Sequence, residues 1–155
     1  MAALIEEFVG IVEAFNQAGI DYAVCGGWAI AIHGKVRATV DIDLMIRAED
    51  LEPAMTLARQ RGYDIEGLPL NFDGGETQIR RISKIDKELN ELITLDLLLV
   101  TPVYEAAWKT RRHVTWNHGE YRVVDVEGMI IMKELAGRPK DAEDLRFLRG
   151  EEDES

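Results

Sequence analysis

One mixed α/β domain is the fold that this sequence predicts, and three observations support it. A chain of 155 residues fits one ordinary domain and leaves little room for a second full core. Segments with the apolar spacing of helices are interspersed with short segments of the kind that form strands. No internal repeat, low-complexity linker or shift in composition divides the chain. We therefore expect a mixed β-sheet flanked by helices over residues 1–150, an α/β (α+β) arrangement, followed by an acidic tail at 151–155.

Apolar spacing and turn residues define the elements of the first half of the chain. Residues 3–18 repeat apolar side chains at helical spacing, and Gly19 ends the run. Asp41 to Ile46 alternates acidic and aliphatic side chains, which is typical of a strand. In chain order we predict a helix at 3–18, a strand at 22–25, a short helix at 27–33, a strand at 41–46 and a helix at 50–61.

The second half predicts a strand pair followed by helices. Thr77 to Ile85 alternates polar and aliphatic residues, and Leu92 to Val100 is strongly apolar, so that the two segments suggest a hairpin-like pair. In chain order we predict a strand at 63–66 followed by a loop, a tight turn at 73–75, strands at 77–85 and 92–100, a helix from 102 to 108, two short strands flanking 117–120, and helices at 126–137 and 139–148.

Composition argues against several classes of protein. No stretch is long and apolar enough to span a bilayer, and the N-terminus lacks the basic flank and unbroken apolar run of a secretory signal. The single cysteine, Cys25, cannot form an intrachain disulfide, so we expect a reducing cytoplasm. The formal net charge of −11 works against general nucleic-acid binding, because phosphate binding needs a dominant positive field.

Two acidic residues on one strand are the first candidates for chemistry. Side chains at i and i+2 of a strand point to the same face, so Asp41 and Asp43 project together while Ile42 and Leu44 occupy the other face. Two adjacent carboxylates repel each other, and burial increases the repulsion. A hard divalent cation such as Mg²⁺ would neutralise the pair, since it prefers oxygen ligands. The alternative is that both are ordinary exposed strand residues.

A third acid, Asp96, lies within the apolar strand predicted at 92–100. An ionised carboxylate in such a strand needs a partner or a metal. If this strand neighbours the one at 41–46, three carboxylates meet at one place and could hold two cations about 3.5–4 Å apart. The alternative is that Asp96 pairs with an arginine.

Gly26-Gly27 stands between the predicted strand at 22–25 and a short helix. Small residues at such a position let the backbone approach phosphates, and a helix N-terminus favours anions. The order of strand, Gly-Gly, helix, Asp-x-Asp strand and later strand acid is a constellation and thus more specific than Asp-x-Asp alone. It predicts a metal site beside a phosphate site.

Candidate phosphate ligands include one arginine and two lysines. Arg37 could contact a nucleotide phosphate with two hydrogen bonds, or could form a salt bridge with an acidic neighbour. Lys133 and Lys140 could stabilise a triphosphate as point charges, or could be solvated surface lysines. His33, Trp28 and Cys25 are better explained as a helix-end residue, a core residue and a buried strand residue, respectively.

These motifs resemble those of the DNA polymerase beta-like nucleotidyltransferase superfamily. The residues that carry the resemblance are Gly26-Gly27-Trp28-Ala29, His33-Gly34, Arg37, Thr39 and Asp41-Ile42-Asp43-Leu44, with Asp96 as the matching third acid. The details are most similar to the compact prokaryotic branch, which includes abortive-infection-type nucleotidyltransferase toxins and aminoglycoside nucleotidyltransferases. The 155 residues contain no counterpart of the substantial C-terminal domain of larger members, so we expect a single-domain form.

The resemblance implies a nucleotidyltransferase fold and a Mg²⁺-dependent enzyme with two metal ions at Asp41, Asp43 and Asp96. It implies transfer of an NMP group from an NTP, ATP or another, to a hydroxyl on an RNA, a protein or a small molecule. A role in a toxin–antitoxin pair, with an antitoxin protein as partner, is also implied. The alternative is a non-catalytic nucleotide-binding or interaction module of the same fold. A metal-dependent phosphohydrolase has little support, because such sites generally use histidine-rich ligation.

Overall fold

The chain folds around one mixed β-sheet of eight strands, which the computed structural model describes for residues 2–35, 41–88, 90–117 and 119–151. The helices are α1 (Ala2–Ala18), α2 (Gly26–Ile32), α3 (Leu51–Gln60), α4 (Glu105–Lys109), α5 (Val126–Ala136) and α6 (Ala142–Leu148). The strands are β1 (Ala23–Cys25), β2 (Asp41–Ile46), β3 (Ile65–Glu66), β4 (Leu70–Phe72), β5 (Thr77–Asp86), β6 (Glu91–Leu99), β7 (Arg112–Trp116) and β8 (Gly119–Val123). Short 3₁₀ turns lie at Ala48–Asp50, Asp73–Gly75, Pro102–Tyr104 and Pro139–Asp141.

The strand order confirms the predicted mixed sheet. It runs β3-β5-β6-β2-β1-β8-β7, and β4 pairs with β5 beside β3. Two neighbouring pairs, β2 with β6 and β1 with β8, are parallel, and the other pairs are antiparallel. The predicted hairpin-like pair is therefore the antiparallel pair of β5 and β6. No helix of the described residues is long and apolar enough to cross a membrane.

The two faces of the central strands differ in character. On β2, Ile42, Leu44 and Ile46 are buried, and they belong to the same hydrophobic cluster as Leu95 and Leu97 of β6. Complete burial of such a side chain contributes about 1.5–3 kcal/mol. Because side chains alternate along a strand, the intervening residues of β2 and β6 point to the opposite face. Packing of the aliphatic face therefore fixes the position of the side chains on the opposite face of these strands.

One local prediction was wrong. The segment after 63–66, predicted as a loop, includes β4, in which Leu70 and Phe72 pair with Ile79 and Thr77 of β5. This short edge strand has too few residues for its alternation to stand out in the sequence. The helix predicted at 50–61 is α3, and Asp50 is the last residue of the 3₁₀ turn before it. The predicted tail is described only at Glu151, and residues 152–155 lie outside the described residues.

The helix α5 has defined ends that position the residues after it. The Asp125 carboxylate accepts a hydrogen bond from the Gly128 amide at 2.9 Å and caps the first turn. Gly137 follows α5 in the left-handed conformation, with φ of 60°. Arg138 and the 3₁₀ turn that begins at Pro139 then lead directly into α6. This turn brings the end of α5 and the start of α6 together.

Candidate active site

The three acidic residues lie on neighbouring strands of one sheet face. In the parallel pair of β2 and β6, Asp43 is directly opposite Asp96, and Asp41 is opposite Thr94. Directly paired residues point to the same side of a sheet, and Asp41 lies two residues before Asp43. The prediction that the strand of Asp96 neighbours the Asp-x-Asp strand is therefore confirmed.

One row of residues crosses four strands at this point. Cys25 of β1 pairs with Asp43, Asp43 with Asp96, and Asp96 with Arg81 of β5. Arg81 donates two hydrogen bonds to the Asp96 carboxylate, from Nε to Oδ1 at 2.8 Å and from a terminal nitrogen to Oδ2 at 2.9 Å. An arginine was the alternative partner predicted for Asp96, and Arg81 is that arginine. It lies in the same site as the three acids, although the sequence did not identify it individually.

Burial and mutual repulsion favour the neutral forms of the two strand acids. Burial, followed by the charges of Asp96 and Asp41, raises the pKa of Asp43 to about 7. Burial and then the charge of Asp96 also raise the pKa of Asp41. The guanidinium of Arg81 opposes both increases. Both carboxylates are therefore harder to ionise in this site than they would be in water.

A cavity of about 620 Å³ opens above these residues. It is lined by the three acids, by cations and by an apolar group from several elements. The lining residues include Gly26, Asp41, Asp43, Asp73, Arg81, Asp96, Phe72, Thr77, Ile79, Leu98, Tyr104, Met129, Met132, Lys133, Arg138 and Lys140. A volume of this size is typical of small-molecule sites.

Gly26 begins α2 beside Asp43 and has a conformation that favours glycine. Its φ is +64°, and a Cβ atom placed there would lie 2.1 Å from Asp43 Oδ2 and 2.8 Å from Asp43 Cβ. The Gly26 backbone therefore approaches the carboxylate as closely as it does only because it has no side chain. Gly27, the other predicted phosphate ligand, is the next helical residue and does not line the cavity.

Three cations also form part of the cavity wall. Lys133 Nζ lies 3.1 Å from Asp141 Oδ1 and 3.2 Å from Asp144 Oδ2, so this half-buried lysine is already paired with two acids. Arg138 donates to Asp141 with Nε and a terminal nitrogen, while half of its side chain stays exposed. Lys140 lies at the cavity close enough to lower the pKa of Asp41. Arg138 was not singled out as a ligand from the sequence.

Burial raises the pKa of Asp141, but the hydrogen bonds from Arg138 and Lys133 outweigh it and lower the pKa below its usual value. The acid is therefore ionised at neutral pH and holds the end of α5 to the start of α6.

The remaining candidates have structural roles or fall outside the description. Arg37 and Thr39 lie outside the described residues. His33 Nε2 is 2.7 Å from the carbonyl oxygen of Val124, which agrees with the predicted helix-end role. Trp28 stacks on Phe8 in the core with ring centroids 4.4 Å apart. The predicted buried character of Cys25 is confirmed, and burial raises the pKa of its thiol.

The chemistry of the acids suits a hard divalent cation, although the side chains are not arranged around one. Oxygen-only donors with excess negative charge are the ligands that Mg²⁺ prefers. Among the described residues, no three metal-ligating side chains converge as they lie here, and Asp96 directs both oxygens to Arg81. The backbone register nevertheless sets the three acids on one face of the sheet.

Comparison with known proteins agrees with this arrangement. The model of the aminoglycoside-2''-adenylyltransferase family matches residues 7–91, which is more than half of the chain. The matched part includes Gly26, Asp41 and Asp43, and it ends before Asp96. No curated protein matches the sequence significantly.

Solved structures share the fold along almost the whole chain. The Thermotoga maritima protein TM1012, proposed to be a nucleotidyltransferase, has a TM-score of 0.66 at 16% identity, covering 97% of this chain and 95% of that one. The lincosamide antibiotic adenylyltransferase LnuA, bound to lincomycin, has a TM-score of 0.65 at 15% identity, with 95% and 97% covered. ANT(2'')-Ia in complex with adenylyl-2''-tobramycin has a TM-score of 0.65 at 16% identity, with 97% and 89% covered. At these identities the likeness establishes the fold.

Stability should depend on pH through Asp43. Its pKa is about 7 in the folded chain and 3.8 in the unfolded chain, so folding favours the protonated form. The stabilisation is complete below pH 3.8 and is lost as the pH rises towards 7. Relative to Asp43→Asn, the free energy of unfolding of the metal-free protein should fall by roughly 2 kcal/mol between pH 5 and pH 8. Urea unfolding in the presence of a chelator measures this difference in the free energy of unfolding. Parallel curves of stability against pH for the two proteins would contradict the prediction.

Replacement of Gly26 tests the close approach to Asp43. Gly26→Ala should lower the free energy of unfolding through both its positive φ and the clash with Asp43. Gly19→Ala is the matched control, because Gly19 has φ of +71° and nothing lies within 4 Å of the added carbon. The control should cost about 1–2 kcal/mol, and Gly26→Ala about 1–3 kcal/mol more. Equal losses in urea unfolding would show that the site tolerates a side chain at this position.

Proposed function

This chain belongs to the aminoglycoside-2''-adenylyltransferase family, and on that premise we propose that it is a Mg²⁺-dependent enzyme which transfers an NMP group from an NTP to a hydroxyl. The family consists of nucleotidyltransferases, so the reaction class follows from the match to the family model. The finer mechanism is our proposal. The observation that carries it is the register of Asp43 and Asp96 on neighbouring strands beside Gly26. We assign the activity to one domain, residues 1–150.

A small-molecule acceptor is the form of this function with most support. The family description and the bound molecules of the two antibiotic-modifying neighbours all concern small hydroxyl compounds. The cavity of about 620 Å³ suits a compound of that size. RNA and protein acceptors and an antitoxin partner, which the wider resemblance implies, receive no support from these comparisons. A small molecule is therefore the acceptor we propose.

Asp41, Asp43 and Asp96 are the residues proposed to hold two Mg²⁺ ions. When bound, such a pair neutralises the carboxylates and stabilises the charge that develops on the transferred phosphoryl group. The support from this chain is the register that sets the three acids on one face, where burial and then the charges of Asp96 and Asp41 raise the pKa of Asp43 to about 7. Metal binding and proton release from Asp43 should be coupled for the same reason.

Asp96 is proposed to accept the proton of the acceptor hydroxyl. The hydroxyl oxygen forms a bond to the α-phosphorus, the bond from that phosphorus to the bridging oxygen breaks, and pyrophosphate leaves with the bonding electrons. Arg81 holds Asp96 in a fixed orientation through its two hydrogen bonds. The acid is thus oriented before the acceptor arrives, which reduces the reorganisation needed for proton transfer.

The phosphates are proposed to bind between Gly26 and the cationic wall. Gly26 and Gly27 would present backbone amides, while Lys133 and Lys140 would supply positive charge. Lys133 is paired with Asp141 and Asp144, so Lys140 and the half-exposed Arg138 offer the less neutralised charge. Arg37 remains a proposed ligand outside the described residues.

Loss of one acid should abolish transfer and spare the fold. Asp43→Asn removes a metal-binding charge, and we expect the rate of pyrophosphate release to fall at least about 1,000-fold, equivalent to roughly 4 kcal/mol. The assay offers ATP, CTP, GTP and UTP in turn with Mg²⁺ and a panel of hydroxyl compounds. Asp64→Asn, at an exposed acid outside the cavity, is the control and should retain full activity. Turnover of Asp43→Asn at the wild-type rate would refute the mechanism.

The same assay separates an enzyme from the non-catalytic alternative. Wild-type protein that binds NTP with Mg²⁺, yet releases no pyrophosphate with any acceptor of the panel, would favour a nucleotide-binding module of this fold.

Removal of Lys140 should weaken NTP binding more than chemistry. A charge-assisted contact at an exposed site is worth on the order of 1.4 kcal/mol, so Lys140→Ala should raise the KM for NTP about 10-fold with little change in kcat. The matched control is Lys87→Ala, at an exposed lysine in the turn between β5 and β6. Steady-state kinetics at several NTP concentrations measure both constants. An unchanged KM would exclude Lys140 as a phosphate ligand.

A further inference from the structure

The row of paired residues across the four strands sets the order in which the proposed binding positions lie along the cavity. Starting from β1, it places Gly26, next to Cys25, then Asp43, then Asp96 and finally Arg81. On the proposed function, phosphates bind at the Gly26 end and the hydroxyl is beside Asp96. The body of the acceptor must therefore extend beyond Asp96, over β5 and the strand that pairs with its first residues, β4.

The wall at that end of the cavity is mostly apolar. We name it the acceptor wall, and it consists of Phe72, Thr77, Ile79, Leu98 and Tyr104. The Phe72 side chain is 50% exposed although it is large and apolar. Thr77 Oγ1 and the Tyr104 hydroxyl lie 2.7 Å apart and share one hydrogen bond. A mostly apolar surface of this kind suits a ligand with an apolar face.

Charge on this side of the cavity does not favour a polycation. Apart from the three acids assigned to metal binding, Asp73 is the one acid among the described residues that line the cavity. Arg81 lies on the same side and offsets it. Lys133, Arg138 and Lys140 also line the cavity, and they add positive charge to its lining. A compound with several ammonium groups would therefore meet few carboxylates here.

We propose that the acceptor is a small hydroxyl compound which carries at most one positive charge and packs an apolar face against the acceptor wall. This inference deepens the proposed function and rests on it. It separates this chain from the polycationic acceptor class that the family description names, because the acceptor wall offers apolar contact where a polycation needs acids.

Binding measurements test the acceptor class without requiring turnover. Full-length protein with Mg²⁺ and α,β-methylene ATP, which cannot be cleaved at the reacting bond, is titrated calorimetrically with two probes at physiological salt. Lincomycin has one basic amine and apolar alkyl groups, whereas tobramycin has several ammonium groups. We expect lincomycin to bind at least 10-fold more tightly than tobramycin. Tighter binding of tobramycin would overturn the proposal, and so would failure of both probes to bind.

A matched pair of variants locates the contact on the acceptor wall. Phe72→Asp places an acid in the wall, and it should weaken lincomycin at least 10-fold and strengthen tobramycin several-fold. Leu68→Asp makes the same change at an exposed leucine, 84% accessible and outside the cavity, and should leave both affinities within twofold of wild type. Equal effects of the two variants would refute the assignment of Phe72. Circular dichroism confirms that both variants are folded.

Separate measurements test the proposed function and the acceptor class. Pyrophosphate release by the wild-type protein tests nucleotidyl transfer, and the order of the two affinities tests the acceptor class. Affinities in the expected order without transfer to any hydroxyl compound would refute the enzyme and retain the binding preference. Transfer with tobramycin preferred would retain the enzyme and overturn the acceptor class.

Discussion

The direct pairing of Asp43 with Asp96 on parallel neighbouring strands is the constraint on which the site depends. Two carboxylates at one register position repel each other, and the burial of Asp43 strengthens this effect. On the opposite face of the same strands, the side chains of 42–46 and 93–99 are aliphatic and buried. Each of those side chains contributes about 1.5–3 kcal/mol, so a handful offsets the repulsion. Packing of the aliphatic face of the sheet therefore holds the acids in position on the opposite face.

Gly26 and Asp43 depend on each other sterically. The carboxylate occupies the space that a side chain at Gly26 would fill. This close fit joins the start of α2 to the acidic strand, so the position proposed for the phosphates and the position proposed for the metals are fixed relative to one another. A larger residue at either position would separate the two. Gly26 is therefore required for packing against Asp43, apart from the role proposed for it in phosphate binding.

The sequence could predict those parts of the site that local geometry determines. Alternation along β2 placed Asp41 and Asp43 on one face, and the apolar run around Asp96 identified a central strand. The bidentate pair of Arg81 with Asp96 was not predicted, because it depends on the register of β5 against β6. The pairing of Lys133 with Asp141 and Asp144 was missed for a similar reason, since it requires the ends of two helices to meet. Local periodicity carries no information on either contact.

Net charge and local charge lead to different conclusions about phosphate binding here. The formal charge of −11 argues against general affinity for nucleic acids. Within the cavity, however, Asp141 and Asp144 hold Lys133 beside Arg138. Asp141 and Asp144 thus position the positive charge of Lys133 and neutralise part of it. A single nucleotide needs only such a local cluster of positive charge. A long polyanion would also meet the acidic remainder of the surface, which would repel it. Electrostatics alone therefore favours binding of a nucleotide over binding of a nucleic acid.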